Sequence, residues 1–270
     1  MEAGDFAFLA RLLNRRCGLN LTHDRIALVE RRLQPVVRRF DFRDINALLA
    51  ELRLGREALA EAVTEAMCIN DTGFFRDADT FRRLAERVLP RLAARRAGDK
   101  RLRVWSAAAS TGQEAYSLAI LLEETGLARE GWSIDLVASD ISAAAIERAE
   151  RGRYASHEIE RGLDARMVRW FRRDGNEWVV DAALRRMISF RRFNLLDSFG
   201  WLDDLDLILC RNVLMYFDRA TRANVLSRLA ETLSDDGVLV LGETESADSG
   251  FVADGAGIFV KPHAAVAWAS

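Results

Sequence analysis

Three stretches of this chain carry side chains suited to chemistry. Ile69-Asn70-Asp71-Thr72-Gly73-Phe74-Phe75-Arg76 sets short polar groups and one guanidinium around a Phe pair. Residues 106–114, Ser-Ala-Ala-Ala-Ser-Thr-Gly-Gln-Glu, place small residues and a single Gly where an apolar strand gives way to a helix. Such strand-to-helix turns open ligand pockets in α/β folds. Cys210-Arg211-Asn212-Val213-Leu214-Met215-Tyr216-Phe217 ends another apolar run in a cation, an amide and an aromatic pair.

The turn at 106–114 is neither the G-x-G-x-x-G dinucleotide fingerprint nor a P-loop, since no Lys follows its Gly. Asp140 closes the next apolar run. An acid there accepts both ribose hydroxyls of a nucleoside in doubly wound folds. Small-residue turn plus acid points to a nucleoside cofactor, and the missing phosphate-cradling glycines favour one without a pyrophosphate. Carboxyl ends of parallel strands bind ligands, which brings in Asn194-Leu195 and Arg211-Asn212 and offers the Tyr216 hydroxyl to a substrate.

The elements that must position these groups change character along the chain. Residues 5–89 read as helical, with apolar spacing at Phe6, Leu9, Leu12 and Leu13, then at Ile26, Val29, Leu33 and Val37. Pro35 is expected to kink its helix or start a new one, and Pro90 to kink the helix over 77–94. Beyond Gly98 strands alternate with helices. Strands are expected at 102–106, 133–139, 187–193, 205–210 and 237–242, with short candidates at 258–260 and 264–268, and helices at 114–125, 142–152 and 221–233. Alternation of this kind means a mostly parallel sheet covered on both faces. Between residues 154 and 186 it stalls, and Asp174-Gly175-Asn176 reads as a hairpin turn in an inserted subdomain. The expected division is a helical domain over 1–95, a sheet domain over 96–270 and the small insertion at 154–186.

Composition sets the bounds. The 270 residues are 50% hydrophobic and 30% charged, enough for a packed core. A net charge of −2 argues against an unselective nucleic-acid binder. Residues 11–43, however, hold nine Arg against Asp24, Glu30 and Asp41. Three unevenly spaced Cys make neither a disulfide framework nor a zinc set, which fits a reducing cytoplasm. No apolar run reaches a membrane span, and no signal-peptide core opens the chain.

Asn70-x-Thr72-x-Phe74-Phe75-Arg76, residues 106–114, Ala138-Ser139-Asp140-Ile141-Ser142, Phe193-Asn194-Leu195, residues 210–217 and residues 242–246 together resemble the chemotaxis receptor methyltransferases of the CheR type. The resemblance runs in order over essentially the whole chain. It implies a class I S-adenosylmethionine methyltransferase with a seven-stranded, doubly wound sheet behind an all-α domain. It also implies that receptor glutamates become methyl esters. The site residues follow from the same resemblance. Asn70, Thr72 and Arg76 should reach the cofactor's methionine end from the helical domain, with Glu114 on its methionine portion and Asp140 on the ribose. Asn194, Leu195, Arg211 and Asn212 should frame the adenine and the pocket wall. The 174–176 hairpin matches the subdomain with which some members grip a tethering peptide at a receptor's C-terminus. Its short, Gly-poor turn implies a member that does not depend on such a peptide. Ala109 stands where members often have Cys, at a position that needs smallness rather than a thiol.

Methyl transfer from a sulfonium to an ionised carboxylate needs in-line placement and exclusion of water, not a metal or a strong base. No catalytic His is therefore expected, and His23, His157 and His263 lie outside the motifs. Arg76 and Tyr216 are expected to orient the glutamate and the cofactor. On a helix through 24–40, Arg25, Arg31, Arg32, Arg38 and Arg39 share one side, opposite Ile26, Val29, Leu33 and Val37. Given the resemblance, this Arg face is expected to steer an acidic, glutamate-bearing helical bundle. A nucleic-acid amino-methyltransferase would carry Asn/Asp-Pro-Pro-aromatic where Arg211-Asn212-Val213-Leu214 stands. A non-catalytic cofactor-binding module would lack Arg76, Asp140 or Tyr216.

Overall fold

Amphipathic helices build the first part of the chain, each hiding one apolar stripe. In the computed structural model, which describes residues 1–164, 166–247 and 250–269, these are α1 (Ala3–Cys17), α2 (Ile26–Arg39), α3 (Ile45–Arg53) and α4 (Glu57–Met67). Phe6, Leu9, Leu13, Val29, Leu33, Leu48, Leu49, Leu59 and Val63 meet in one buried cluster. Asp44 starts α3 by accepting the Ala47 N–H at 2.8 Å, the N-cap bond that relieves an orphan donor. Gly18 ends α1 in the left-handed conformation. A Cβ there would lie 2.8 Å from the Phe217 ring. α2 runs through Pro35, so no new helix begins there.

The chain divides into two compact units, Met1–Ile69 with Met215–Arg222, and Asn70–Leu214 with Ala223–Ser270. The sequence expectation set the division near residue 95. The structure instead groups residues 70–95 with the sheet, because Phe81, Leu84, Val88, Leu89 and Leu92 belong to the sheet's own core cluster. Asn70, Thr72 and Arg76 therefore stand in the sheet unit rather than in the helical one.

That second unit opens with α5 (Ala78–Arg83), a π-helical turn (Leu84–Val88) and α6 (Leu89–Arg95), whose first turn carries Pro90. Then come β1 (Arg101–Ala107), α7 (Gln113–Thr125), β2 (Ser133–Asp140) and α8 (Ala143–Arg151). The insertion holds β3 (Arg153–Ala155), α9 (Ser156–Gly162), β4 (Phe171–Asp174), β5 (Glu177–Val180) and α10 (Ala182–Met187). The rest is β6 (Ile188–Arg192), β7 (Leu205–Cys210), α11 (Arg219–Thr232), β8 (Leu233–Val240), β9 (Val252–Gly255), β10 (Ile258–Val260) and α12 (Pro262–Ala269).

The main sheet has seven strands in the order β6-β2-β1-β7-β8-β10-β9. β6, β2, β1, β7 and β8 run parallel, and β10 is antiparallel to both of its neighbours. The strand order turns outward from β1 in both directions, so the carboxyl ends of β1, β2 and β7 border the crevice where doubly wound sheets bind ligands. The candidate strand at 264–268 is instead part of α12. β9 went unread in the sequence because it lies exposed at the sheet edge and lacks an apolar run. The insertion forms a separate antiparallel sheet, β3-β5-β4. Its β4–β5 hairpin closes at Gly175-Asn176, with Asp174 opposite Glu177.

Candidate active site

The turn after β1 is where the backbone departs furthest from ordinary geometry. Ala108, Ser110 and Gly112 have φ of 56°, 52° and 93°. Left-handed backbone is unfavourable for an L side chain and persists where surrounding contacts over-determine it. Those contacts are visible. The Ala109 N–H donates to the Ser139 carbonyl at 2.9 Å, and the Ser110 N–H donates to Asp140 Oδ2 at 2.8 Å. At Gly112 a Cβ would sit 2.8 Å from the Ala149 Cβ and 3.0 Å from the Tyr154 hydroxyl, so only glycine fits.

Asp140 closes β2 and is buried. Its second oxygen, Oδ1, accepts the Ser142 N–H at 2.9 Å. Backbone donors thus hold the carboxylate in place at a strand end. The Ser142 hydroxyl in turn caps α8 by accepting the Ala145 N–H at 3.0 Å.

Glu114 sits in the first turn of α7, whose helix dipole favours an acid. It accepts the Ser106 hydroxyl at 2.8 Å and the Arg211 guanidinium at 3.0 Å. Burial pushes its carboxyl above the ordinary range, against the opposing pull of Arg211 and Ser106. Arg211, at the end of β7, is itself enclosed. It donates to Asp77 Oδ2 at 2.6 Å and to the Arg76 carbonyl at 2.8 Å, and its guanidinium lies over the Phe81 ring. Its charged head is therefore committed to Glu114 and Asp77, and it grips the segment that carries Arg76.

That segment is pinned at several further points. Phe74 packs edge-on against Tyr154 and Phe171, with ring centroids 5.0 and 5.2 Å away. The Phe75 N–H donates to the Ser117 hydroxyl at 2.9 Å. Phe75 and Asp77 have φ of 47° and 62°. A Cβ on Gly162 would collide with the Phe74 carbonyl, so α9 closes on the segment only through glycine. Arg76 is half-buried and donates to the Asp71 carbonyl at 2.9 Å. A cavity of 530 Å³ runs beside it, lined by Asp71, Thr72, Arg76, Asp77, Glu160 and Arg161 among others. Asn70 is exposed and Thr72 half-buried.

Asn194 and Leu195 follow β6. The Asn194 side chain accepts the Leu196 N–H at 3.0 Å and shapes its own turn. Arg228 on α11 donates to the Leu195 carbonyl at 2.7 Å and to the Asp197 carbonyl. Asn212, with φ of 57°, is held by Glu245, which accepts the Asn212 and Gly242 N–H groups at 2.7 and 2.8 Å. A Cβ on Gly242 would come within 2.5 Å of the Asn212 amide nitrogen.

The group expected at these strand ends is a nucleoside cofactor, and the residues fit one. A carboxylate is oriented at the end of β2, and the turn beside it carries only small side chains from Ala107 to Gly112.

Two family models cover the chain. A CheR methyltransferase all-alpha domain matches residues 4–68, and a CheR methyltransferase S-adenosylmethionine-binding domain matches residues 70–251. The chain belongs to the CheR methyltransferase family. It is 36% identical over 247 residues to Chemotaxis protein methyltransferase 1 of Pseudomonas aeruginosa, with 90% of each chain covered. The Chemotaxis protein methyltransferase of Vibrio parahaemolyticus is likewise 36% identical, over 90% of this chain and 89% of its own. Chemotaxis protein methyltransferase Cher2 of Pseudomonas putida is 35% identical, with 90% of each chain covered.

This CheR-family methyltransferase therefore uses S-adenosylmethionine, on the class I fold its sheet order displays. Of the residues expected from the sequence, Asn70, Thr72, Arg76, Glu114, Asp140, Asn194, Leu195, Arg211 and Asn212 all fall in the sheet unit. Arg76, Glu114 and Arg211 are joined by direct bonds. Tyr216 falls in the Met215–Arg222 segment of the helical unit, half-buried, with its carbonyl accepting the Asn20 N–H at 2.8 Å.

On α2 the expected Arg face loses one member. Arg32 is half-buried and donates to the Met67 and Cys68 carbonyls at 2.9 and 3.2 Å, closing the C-terminus of α4. Arg25, Arg31, Arg38 and Arg39 are exposed. Sequence reading also passed over Asp77, Arg228 and Glu245. An acid just past a strand end was the available signal for Glu245, whereas Asp77 and Arg228 act across long stretches of chain and left none. Among the described residues no helix is long and apolar enough to cross a membrane.

Proposed function

We propose that this methyltransferase converts glutamate side chains on the cytoplasmic helical bundles of chemoreceptors into methyl esters. The observation that carries the reading is the match to chemotaxis protein methyltransferases along 90% of the chain. The oriented groups at the strand ends support it. When bound, S-adenosylmethionine supplies an electrophilic methyl whose sulfonium departs as a neutral thioether. Held by Asp140 and Glu114, it would present that methyl to a substrate carboxylate oxygen, with the neutral thioether as leaving group. The nucleophile is already ionised at neutral pH, so the protein's task is alignment and exclusion of water.

In this reading Asp140 holds the ribose and Glu114 the methionine portion. Asn70, Thr72 and Arg76 meet the methionine end. Asn194, Leu195 and Asn212 frame the adenine, and Arg211 contributes by holding the Arg76 segment and Glu114 in place. Arg76 and Tyr216 orient the substrate glutamate. The exposed arginines of α2 meet the acidic receptor bundle in the cytoplasm. The two-residue turn at Gly175-Asn176 favours action without a receptor tethering peptide.

Incubation with methyl-labelled cofactor and membranes bearing the organism's receptors tests this. Base-labile label, released as methanol and present on receptors with or without their C-terminal peptide, is expected. No ester under any condition would sink the reading.

A further inference from the structure

The insertion grips the turn after β1 at two points, one on each side of Gly112. On one side the Tyr154 hydroxyl, from β3, donates to the Thr111 carbonyl at 2.6 Å. On the other, Glu158 of α9 accepts the Gln113 side-chain N–H at Oε1, 2.9 Å away. Gln113 is 2% exposed, and its amide oxygen accepts the Thr111 hydroxyl at 2.7 Å. A carboxylate only accepts, so Glu158 must face the amide nitrogen and leave the oxygen to Thr111. The second carboxylate oxygen, Oε2, accepts the Ala155 N–H at 3.0 Å and the Arg148 guanidinium at 2.6 Å. Capping of α9 accounts for Oε2 alone. Oε1 is given to the turn.

The bond to Gln113 reaches further than the turn. Gln113 opens α7 directly before Glu114, and its carbonyl accepts the Ser117 hydroxyl at 2.7 Å. The same hydroxyl oxygen accepts the Phe75 N–H, one residue before Arg76. One chain of hydrogen bonds therefore runs from the insertion, through the start of α7, to the segment that carries Arg76. We propose that Glu158 is a positioning residue for methyl transfer: by holding Gln113 it sets the turn and Glu114 against the cofactor. The insertion thereby becomes part of the scaffold of the cofactor site. This rests on the reading that Glu114 and the turn before it line the cofactor. Loss of the carboxylate would leave a buried amide N–H unpaired, and the turn would have to move to satisfy it.

Calorimetric binding of S-adenosylhomocysteine to the full-length protein tests this without a receptor. The variants are Glu158→Ala, Gln113→Met, the two combined, and Arg148→Met, each with its ligand-free melting temperature. Glu158→Ala and Gln113→Met should each bind about tenfold more weakly, the scale of one hydrogen bond to a charged group. Gln113→Met leaves the α9 cap intact, so it reports on the bond even where Glu158→Ala folds poorly. The combined variant should bind no more weakly than the weaker single, because both changes remove the same bond. Arg148→Met strips the ion pair from the same carboxylate but spares the Gln113 bond, so it should lower the melting temperature and leave affinity near wild type. On receptor membranes the KM for cofactor should rise in Glu158→Ala by the factor seen in calorimetry, with kcat at saturation near wild type. Unchanged affinity in both singles, or additive losses in the combined variant, overturns the proposal. An equal loss in Arg148→Met also overturns it, since affinity would then follow the stability of the insertion rather than this bond. The expected affinities without any receptor ester would support Glu158 and remove the glutamate reading.

Discussion

The Arg211 guanidinium and the Glu114 carboxylate meet at 3.0 Å with the Arg211 side chain only 2% exposed. Arg211 also reaches Asp77 at 2.6 Å, so one cation is shared by two acids that precede it by 97 and 134 residues. Glu114 opens α7, Asp77 precedes α5 and Arg211 ends β7. The triad therefore ties the Arg76 segment to the sheet. Replacing a buried ion pair by apolar groups can be neutral, but removing one partner strands the others.

Arg211→Met should accordingly destabilise the protein by about 3–5 kcal/mol, because two largely buried carboxylates lose their common cation. Urea unfolding of the sheet unit's transition reads this directly. A loss below about 1 kcal/mol, the value of an exposed pair, would mean that the triad is solvated and does not hold the segment.

Glu114 makes a pH prediction whose sign is fixed by burial. Its folded-state pKa is raised, so the unfolded chain ionises first, from about pH 4.3 upward. The contribution to stability is present in full below that value and is lost as pH rises through the folded pKa. Wild type should therefore lose stability relative to Glu114→Gln as pH climbs from about 4.3. Cofactor affinity should move the other way, because the ionised carboxylate attracts the methionine ammonium. Parallel melting and calorimetric titrations across that window check both, and profiles that rise together would contradict the assignment.

Arg228 predicts a separation of binding from turnover. It donates to the Leu195 and Asp197 carbonyls and lies over the Phe199 ring at 4.5 Å. These contacts set the shape of the loop proposed to frame the adenine. Arg228→Ala should raise the KM for cofactor roughly tenfold, as expected from about 1.5 kcal/mol of charge-assisted bonding. The kcat at saturation should remain near wild type. A fall in kcat with unchanged KM would place Arg228 outside cofactor positioning.

What the sequence revealed and what it hid divide along a physical line. Apolar runs such as residues 205–210 and acids at their ends, such as Asp140, are local patterns, and the parallel sheet with its ligand crevice was legible from them. Asp77 and Arg228 act through partners far away in sequence, so no spacing betrayed them. The unit boundary was misplaced for a related reason. Residues 77–94 are helical in pattern and look continuous with the helices before them. Yet Phe81, Leu84 and Val88 bury against the sheet core, and a helical period does not say which core a helix joins.

The α2 arginines yield a prediction in which two neighbours behave oppositely. Arg31 and Arg32 are adjacent, and on a helix about 100° apart. Arg32 points inward along α2 to the last carbonyls of α4, which lack intrahelical donors. Arg31 is exposed, as are Arg38 and Arg39. Arg32→Ala should therefore lower the stability of the helical unit by about 1–2 kcal/mol, the scale of a charge-assisted bond to backbone. Its effect on methyl transfer at low temperature should be small and independent of salt. Reversal of Arg31, Arg38 and Arg39 to Glu should leave stability nearly unchanged, since exposed charges contribute little. If these residues steer an acidic receptor bundle, the same triple reversal should cut methyl-transfer rate at least tenfold at low ionic strength. The deficit should narrow as salt shortens the Debye length from about 30 Å at 0.01 M to about 8 Å at 0.15 M. Initial rates on receptor membranes across that salt range measure it. A triple variant as fast as wild type at every ionic strength would remove the α2 face from receptor recognition while leaving the role of Arg32 at α4 intact.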